Sequence, residues 1–459
     1  MTSQFFGIEI ARRAMDAQRR AMEVAGHNIA NANTRGYSRQ RVSMTTTPPL
    51  VLHGAGERET IQVGTGVRIE DIRRIRNAFL DFQARKAQAM LGQWQTREQI
   101  LSEVEALINE PSEAGLRSVL DQFWESLQEL ANNPESRAVR TTVIKQAGSL
   151  AVAFRHHRQV LTELVSSINL SIEAKIGEIN ATARQLAAVN EQIQRAVVAG
   201  QSPNDLMDER DRLVEQLAKS AGAVSMPSKN HTVHVLVGGG VLVSGNNFQQ
   251  IELLSDGTLK WQGLALSVKP EAGQIAGYLQ MRDHVIPSLI GDIDTLAASV
   301  ISYMNATHRS GFDRDGNPGE DFFVGSGAWD IAVSPVLAGN PDRIAASGTG
   351  DVGDGSVALR MARFRQEPIV SGASVDDFFR GFIAGIGVLS QEAKRLSENQ
   401  MLLVEQIEYQ RESISGVSLD EEVAELLKYQ HAFNAAARVI NSFDEMLEVI
   451  IERMGRVGR

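Results

Sequence analysis

Between residues 418 and 454 apolar side chains return at alternating steps of four and three. One set holds Leu419, Leu426, Phe433, Ile440, Leu447 and Met454, and its companion holds Val423, Gln430, Ala437, Asp444 and Ile451. A seven-residue repeat of this kind predicts the narrow seam of a coiled coil, not the broad stripe of an ordinary surface helix. Ser418 and Glu421 have the S-x-x-E spacing of a capping box, and Asp420, Glu421 and Glu422 put negative charge at the positive end of the helix dipole. Arg453, Gly455, Arg456 and Gly458 close the other end. At 1.5 Å per residue the helix is roughly 55 Å long. An exposed helix with one apolar seam has little to hold it in water, so a partner is expected.

The first thirty residues carry a matching pattern. Ile8, Met15, Met22 and Ile29 recur every seven residues, with Ala11, Gln18, Ala25 and Ala32 three positions later, and Ser3 stands where an N-cap would. This segment bears Arg12, Arg13, Arg19, Arg20, Arg35, Arg39 and Arg41 against Glu9, Asp16 and Glu23, whereas the last helix is acidic. Complementary seams and opposite charge predict that the two chain ends pair, in one molecule or between neighbours. Two amphipathic helices lying on one globular core is the competing arrangement.

The first helix is expected to end near Ala32 to Gly36, among the turn formers Asn31, Asn33 and Gly36. Thr45 to Pro49 read as extended, and Thr60 to Val63 and Val67 to Ile72 as short strands about Gly64-Thr65-Gly66. Helical periodicity then dominates over 77–109 (closed by Pro111), 113–132, 136–199 and 203–221, the last capped by Ser202. Long helices with short breaks predict an elongated bundle. Residues 223 to 278 change to period two. His231 to Val237 and Val241 to Ser244 flank three glycines as a hairpin, and strands continue at 251–254, 259–261 and 264–268. Helix resumes over 273–308 and 375–413, separated by a Gly- and Asp-rich stretch. The fold expected is mainly α with a small β insert. Residues 1–42 and 415–459 form a terminal coiled-coil domain, 43–222 and 273–414 an elongated helical bundle, and 223–272 an inserted outer β domain, furthest from the paired ends.

Composition narrows the functional classes. At 459 residues the chain exceeds what one core usually serves. A net charge of −10 argues against a general nucleic-acid binder, and no apolar run reads as a bilayer span, so no membrane insertion is expected. With no cysteine there is no disulfide, thiolate nucleophile or cysteine metal site. The opening MTSQFFGIEIARR lacks the apolar stretch of a secretory signal, which predicts a cytoplasmic protein or one exported without a cleavable signal.

No constellation of side chains reads as catalytic, and no metal or cofactor is expected. His156-His157-Arg158 reads as a solvated helix face, since adjacent histidines point apart. Asp313 to Gly319 begins like a calcium loop, but Pro318 replaces the required glycine and Val324 the twelfth-position glutamate, so a turn-rich loop is expected. GTGDVGDG at 348–355 lacks the Lys-Ser/Thr of a phosphate loop and reads as a connection. Asp205, Asp208, Glu209 and Asp211 cluster at a helix start beside Arg210 and Arg212, where carboxylates complement the dipole.

Two stretches carry a family resemblance. The first is Ala17-Gln18 followed by HNIANANTRGYSRQ at 27–40, which contains Asn28, Asn31, Asn33, Thr34, Gly36, Tyr37, Ser38, Arg39 and Gln40. The second is SGVSLDEE at 415–422 with Tyr429-Gln430, Ala432-Phe433 and Val439-Ile440-Asn441. Together they resemble the terminal signatures of the bacterial flagellar rod, hook and hook-associated proteins, and GYSRQ is similar in particular to the hook-associated protein 1 (FlgK) family. NDLMDERD at 204–211, the 134–140 region and Phe322-Phe323 resemble the same family.

The resemblance implies a structural subunit, not an enzyme, that self-assembles in a ring-like junction between hook and filament. The implied partners are the flagellar hook protein, the second junction protein and a cytoplasmic export chaperone on the C-terminal helix. It places the protein in the extracellular flagellum, with Ile8, Met15, Met22, Ile29, Leu419, Val423, Leu426, Phe433, Ile440, Leu447 and Ile451 as the assembly interface. The alternative is an axial protein whose β insert binds or hydrolyses glycans, for which 223–272 offers only His231, His234, Glu252, Asp256 and Glu271.

Overall fold

The computed structural model of the chain describes residues 5–53, 60–110, 112 and 115–454. Helix α1 (Phe6–Ala30) ends at Asn31 and leads through a turn into a β arm of β1 (Gln40–Thr46), β2 (Leu50–His53), β3 (Thr60–Val63) and β4 (Val67–Arg74). The arm is one long antiparallel excursion. β1 pairs with β4 from Gln40↔Arg74 to Thr46↔Val67 with a shift at Ser43/Met44, and β2 pairs with β3 beyond it. The arm lies along α1, where Arg13 Nη1 donates to Thr65 O at 3.1 Å.

Four helices follow: α2 (Ala78–Ile108), α3 (Leu116–Asn132), α4 (Arg137–Val198) and α5 (Asn204–Ala221). Their starts are written in the sequence. Asn77 accepts from the Phe79 and Leu80 amides, and Ser136 accepts from the Val139 amide. At its end α2 stops on Asn109 in the left-handed conformation, φ 46°, which asparagine tolerates. Along α4, Leu161, Ile168, Ile172, Ile176, Ile179 and Leu186 form a buried row at helical spacing, the spine of one continuous core. Phe123, Phe322 and Phe323 close one end of it, with ring centroids 4.9–6.1 Å apart.

Strands β5 (Val224–Pro227), β6 (Val233–Val237), β7 (Gly240–Ser244) and β8 (Asn247–Phe248) form a sheet in that order, next to the pair β9 (Ile251–Leu253) and β10 (Leu259–Trp261). The β6–β7 turn puts Gly238 and Gly239 at positive φ, 54° and 80°, as a tight hairpin requires. Val233, Val235, Val237, Leu242, Val243 and Trp261 belong to the same core as α4. Asn190 donates to Val233 O and Gly245 O, and Asn180 exchanges bonds with both backbone groups of Ile251. Arg210 of α5 donates to His231 O. The β segment is therefore laid along the helices, and its first turn touches α5. Residues 264–268 do not form the expected strand; Ser267 makes only an isolated bridge to Lys260.

The chain returns through α6 (Gly273–Gln280), a π turn at Met281–Val285 and α7 (Ile286–Arg309). Contrary to expectation, this helix is long and apolar enough by composition to cross a membrane. Its Leu289, Ile293, Leu296, Ala297, Val300 and Met304 instead face the core. Short pieces follow: β11 (Phe323–Val324), β12 (Ala332–Val333), α8 (Pro335–Gly339) and α9 (Ser356–Arg363). Asp313 is buried and its Oδ1 accepts from the Asp315 and Asn317 amides, a turn of the kind expected. Asp354 similarly gathers the amides of Gly348, Thr349 and Ser356. Last come α10 (Val375–Ser415) and α11 (Leu419–Met454).

Three smaller expectations fail. Ser202 does not cap α5; its hydroxyl donates to Asp71 Oδ1 at 2.7 Å. His157 is buried and bonded to Ala153 O, and Arg158 reaches Asp294, so 156–158 is not simply a solvated face. Glu421, read as half of a capping box, pairs with Arg39. Ser3, Pro111, Gly455, Arg456 and Gly458 lie outside the described residues.

Candidate functional site

The two chain ends pair within the molecule. α1 and α11 run antiparallel: Gly7 lies against Phe443 at one end, and Asn28 against Glu422 at the other. Among the described positions of α11, 422 and 436 are buried and 425, 426, 429, 432, 433, 437, 440, 443 and 447 half-buried, and within these 422, 426, 429, 433, 436, 440, 443 and 447 make a four-three repeat. Leu426, Phe433, Ile440 and Leu447 thus sit in the seam as read from the sequence. The companion set is one residue off: Glu422, Tyr429, Ala436 and Phe443 face α1, while Val423, Gln430 and Asp444 are exposed and Ala437 half-buried. Leu419 is exposed as well.

On α1 the seam comprises Gly7, Ala11, Ala14, Gln18, Ala21, Ala25 and Asn28 by the same spacing. Of these Ala11, Ala21, Ala25 and Asn28 are buried, and Ala14 and Gln18 half-buried. Ile8, Met15, Met22 and Ile29 are half-buried and lie one residue on, along the flank of the pair. Sequence reasoning missed this because Glu422 is polar. It is buried here only because Arg39 Nε, at 2.6 Å, and Asn28 Nδ2, at 2.9 Å, hold its carboxylate. The side chains of Ile451 and Met454 lie outside the described set.

The base of the pair is clasped to the helical body by the signature loop. Asn28 is its pivot. Nδ2 donates to Gln40 O at 2.9 Å, Oδ1 accepts from Gln40 N at 3.0 Å, and Oδ1 accepts from the Tyr37 hydroxyl at 2.7 Å. His27 Nδ1 lies 3.0 Å from that hydroxyl. Burial pushes the Tyr37 phenol well above its ordinary range, helped by the charges of Asp205, Asp208 and Glu422, so it stays a donor. Ser38 donates from both its amide and hydroxyl to Asp208, at 3.0 and 2.7 Å. Gln40 Nε2 reaches Asp205 Oδ1 at 2.8 Å, and Asn204 Nδ2 reaches Gln40 Oε1 at 3.0 Å. Arg39 N donates to Ser415 O, tying in the start of the second signature. Asn31 bonds only within its own turn, to His27 O and Thr34, and Asn33, Thr34 and Gly36 remain exposed.

Behind this loop lies a buried ion network. Arg74 Nη1 bridges Asp208 at 2.7 Å and Asp211 at 2.9 Å. Arg76 spans Asp211 at 3.0 Å and Asp81 at 2.8 Å, and Arg411 from the end of α10 joins Asp81 at 3.1 Å to Glu215 at 2.7 Å. Burial alone would raise the Asp211 carboxyl; Arg210, Arg76 and Arg74 reverse this and hold it below the usual carboxylate range. Glu215 goes the other way, because its burial outweighs Arg411. Within this cluster Arg74, Arg76, Arg210, Asp81, Asp208 and Asp211 each have a partner of opposite sign, as such a cluster requires to persist. The acids read as dipole complements are therefore the socket for the N-terminal loop. Asp208, Asp211, Arg74, Arg76, Arg411 and Glu422 are functional positions that residue patterns alone did not reveal.

This arrangement holds and orients; it does not assemble reactive groups. His231, His234, Glu252, Asp256 and Glu271 are not brought to one place. His231 offers its carbonyl to Arg210, Glu252 is paired across strands with Lys260, and Asp256 accepts from Thr258 in a turn. Among the described residues no group of three His, Asp or Glu side chains is placed to hold a metal.

The described chain is thus an antiparallel pair of chain ends clasped to a body of long helices. Comparison with known proteins gives its class. Residues 8–37 match the flagella basal body rod protein family, and residues 410–453 the C-terminal family of flagellar basal body rod FlgEFG proteins. Residues 101–323, which span the β segment, match the helical domain of the flagellar hook-associated protein FlgK. The chain is 33% identical to flagellar hook-associated protein 1 of Bacillus subtilis (strain 168), covering all of both chains. It is 26% identical to that of Escherichia coli (strain K12), covering 97% of this chain and 99% of the relative. A solved structure, the flagellar hook junction protein FlgK of Burkholderia pseudomallei, shares the fold with a TM-score of 0.65 at 17% identity, over 72% of this chain and all of that one. The chain belongs to the flagellar hook-associated protein 1 family, structural proteins of the bacterial flagellum.

Proposed function

We propose that this protein is a subunit of the junction between hook and filament, and that its α1–α11 pair enters the wall of the axial tube. The observation that carries this reading is the unburied apolar surface of the pair. Val423, Leu427, Val439, Met446 and Val449 of α11 are each close to half exposed, and the heptad stripe Ile8, Met15, Met22 and Ile29 flanks the seam of α1. A helix pair whose inner seam is mostly alanine gains little from its own contact, so further burial against neighbours is what stabilises it. Leu419 and Ile451 complete the assembly surface with these positions, while Leu426, Phe433, Ile440 and Leu447 hold α11 against α1 behind it.

The hook protein and the second junction protein are the neighbours on either side, and copies of this chain form the ring between them. Before export a cytoplasmic chaperone covers the apolar flank of α11, and the protein leaves the cell without a cleavable signal. The protein performs no reaction and needs no cofactor.

The test uses Met15→Asp and Met22→Asp, alone and together, with deletion of 420–459 as the strong variant. Secreted monomer should remain folded in its helical body, while hooks lack this protein and filaments do not grow. Normal filaments on the double variant or the truncation would overturn the reading.

A further inference from the structure

From Ala11 to Ala25 the α1 side of the seam is alanine at every position but Gln18, with Ala11, Ala14, Ala21 and Ala25 recurring at steps of three, four and seven. A slip of seven residues that carries Phe443 to Ala14 would move α11 about 10 Å, set Ala25 against Phe433, and bring Gln18 from Phe433 to Ile440. Two contacts break this sameness. At one end the Phe443 ring occupies the space a side chain at residue 7 would need: a Cβ on Gly7 would stand 2.2 Å from Phe443 Cζ and 2.5 Å from Cε2. At the other, Asn28 Nδ2 donates to Glu422 Oε2 at 2.9 Å. Gly7 to Asn28 and Glu422 to Phe443 are the same interval, three heptads on each helix.

We propose that Gly7 is a notch for Phe443, and that this notch and the Asn28–Glu422 bond are two register pins, which fix where α11 stands along α1. Slipped by one heptad in that direction, Phe443 would meet Ala14, which has no notch, and Glu422 would pass the end of α1 to the level of residue 35 and lose Asn28. Both losses oppose the slip, as do the ion pairs of Arg39 with Glu421 and Glu422. The pins set the height at which the free flank of the pair is presented above the clasp.

The chain has no cysteine, so introduced pairs report register without background. In the observed register Ala14 faces Ala436; after a seven-residue slip Ala21 would. The full-length protein carrying Ala14→Cys with Ala436→Cys should form an intramolecular disulfide under mild oxidation. Ala21→Cys with Ala436→Cys should form it at least tenfold less. Adding Gly7→Leu and Asn28→Ala together should bring the two yields within about twofold. Restoring the space by Phe443→Ala in the Gly7→Leu background should return the 14/436 preference. The proposal is overturned if the unpinned variant keeps the tenfold preference, if the parent protein shows none, or if Phe443→Ala fails to restore what Gly7→Leu loses. The last result would mean Gly7 serves helix packing without setting register.

Discussion

Along α4, Leu161, Ile168, Ile172, Ile176, Ile179 and Leu186 recur at helical spacing and none is more than 5% exposed. Along α11 an apolar seam recurs just as regularly, yet Val423 and Leu427 are 48% exposed, and among the described side chains of this helix only Glu422 and Ala436 are buried. Length and periodicity do not separate the two helices; what each meets does. α4 meets α3, α5, α7 and the β segment, which bury it on several sides. α11 meets α1, whose seam is glycine and alanine, and the β arm, so much of its apolar surface has no occupant within the molecule. The burial that drives folding is complete in one region and incomplete in the other. A subunit that must fold alone and then assemble needs both kinds.

The largest expected effect falls on the clasp that joins the two regions. Asp211→Ala leaves Arg74, Arg76 and Arg210 buried without their shared partner and should cost about 3–5 kcal/mol, read as a lowered midpoint in denaturant. Next is the body itself. Leu186→Ala should cost about 2–5 kcal/mol, because its surroundings are closed on every side. A loss below about 1 kcal/mol for either variant would remove the contrast drawn here.

Acid sharpens the comparison within the body. His308 is buried, with Nδ1 donating to Glu320 O at 2.6 Å and Nε2 accepting from Ala345 N at 2.8 Å, so both nitrogens are committed to the neutral ring. Burial depresses its pKa to about 4 from an ordinary 6.5. Between those values the unfolded chain takes the proton and the folded one does not. The contribution is therefore fully present above pH 6.5 and is lost as pH falls toward 4. His308→Gln should flatten that slope in a stability-versus-pH series. The smallest effect is expected at the terminal pair. Ile440→Ala should shift unfolding of the free protein by about 1 kcal/mol or less, while the same change is predicted to impair incorporation.

Much of this architecture was legible in the sequence, for identifiable reasons. The ends of α2, α4 and α10 follow from Asn77, Ser136 and Ser374, each an N-cap before a long apolar period. The hairpin at 238–239 follows from glycine between alternating strands. The seam was half read: choosing the more apolar positions 8, 15, 22 and 29 on α1 and 423 on α11 picked the outer flank. The inner faces are instead glycine, alanine and a glutamate that is buried only because Arg39 and Asn28 satisfy it. The clasp was legible as motifs but not as a site. Ser38 and Asp208 stand 170 residues apart, and no periodicity links them.

The central claim is that the body holds itself while the terminal pair awaits neighbours. Amide hydrogen exchange on the free full-length protein tests it most directly. The account predicts that amides of α4 between Leu161 and Leu186 exchange only through global unfolding, and that those of α11 between Leu426 and Leu447 exchange at least a hundredfold faster. Equal protection of the two helices in the monomer would contradict it.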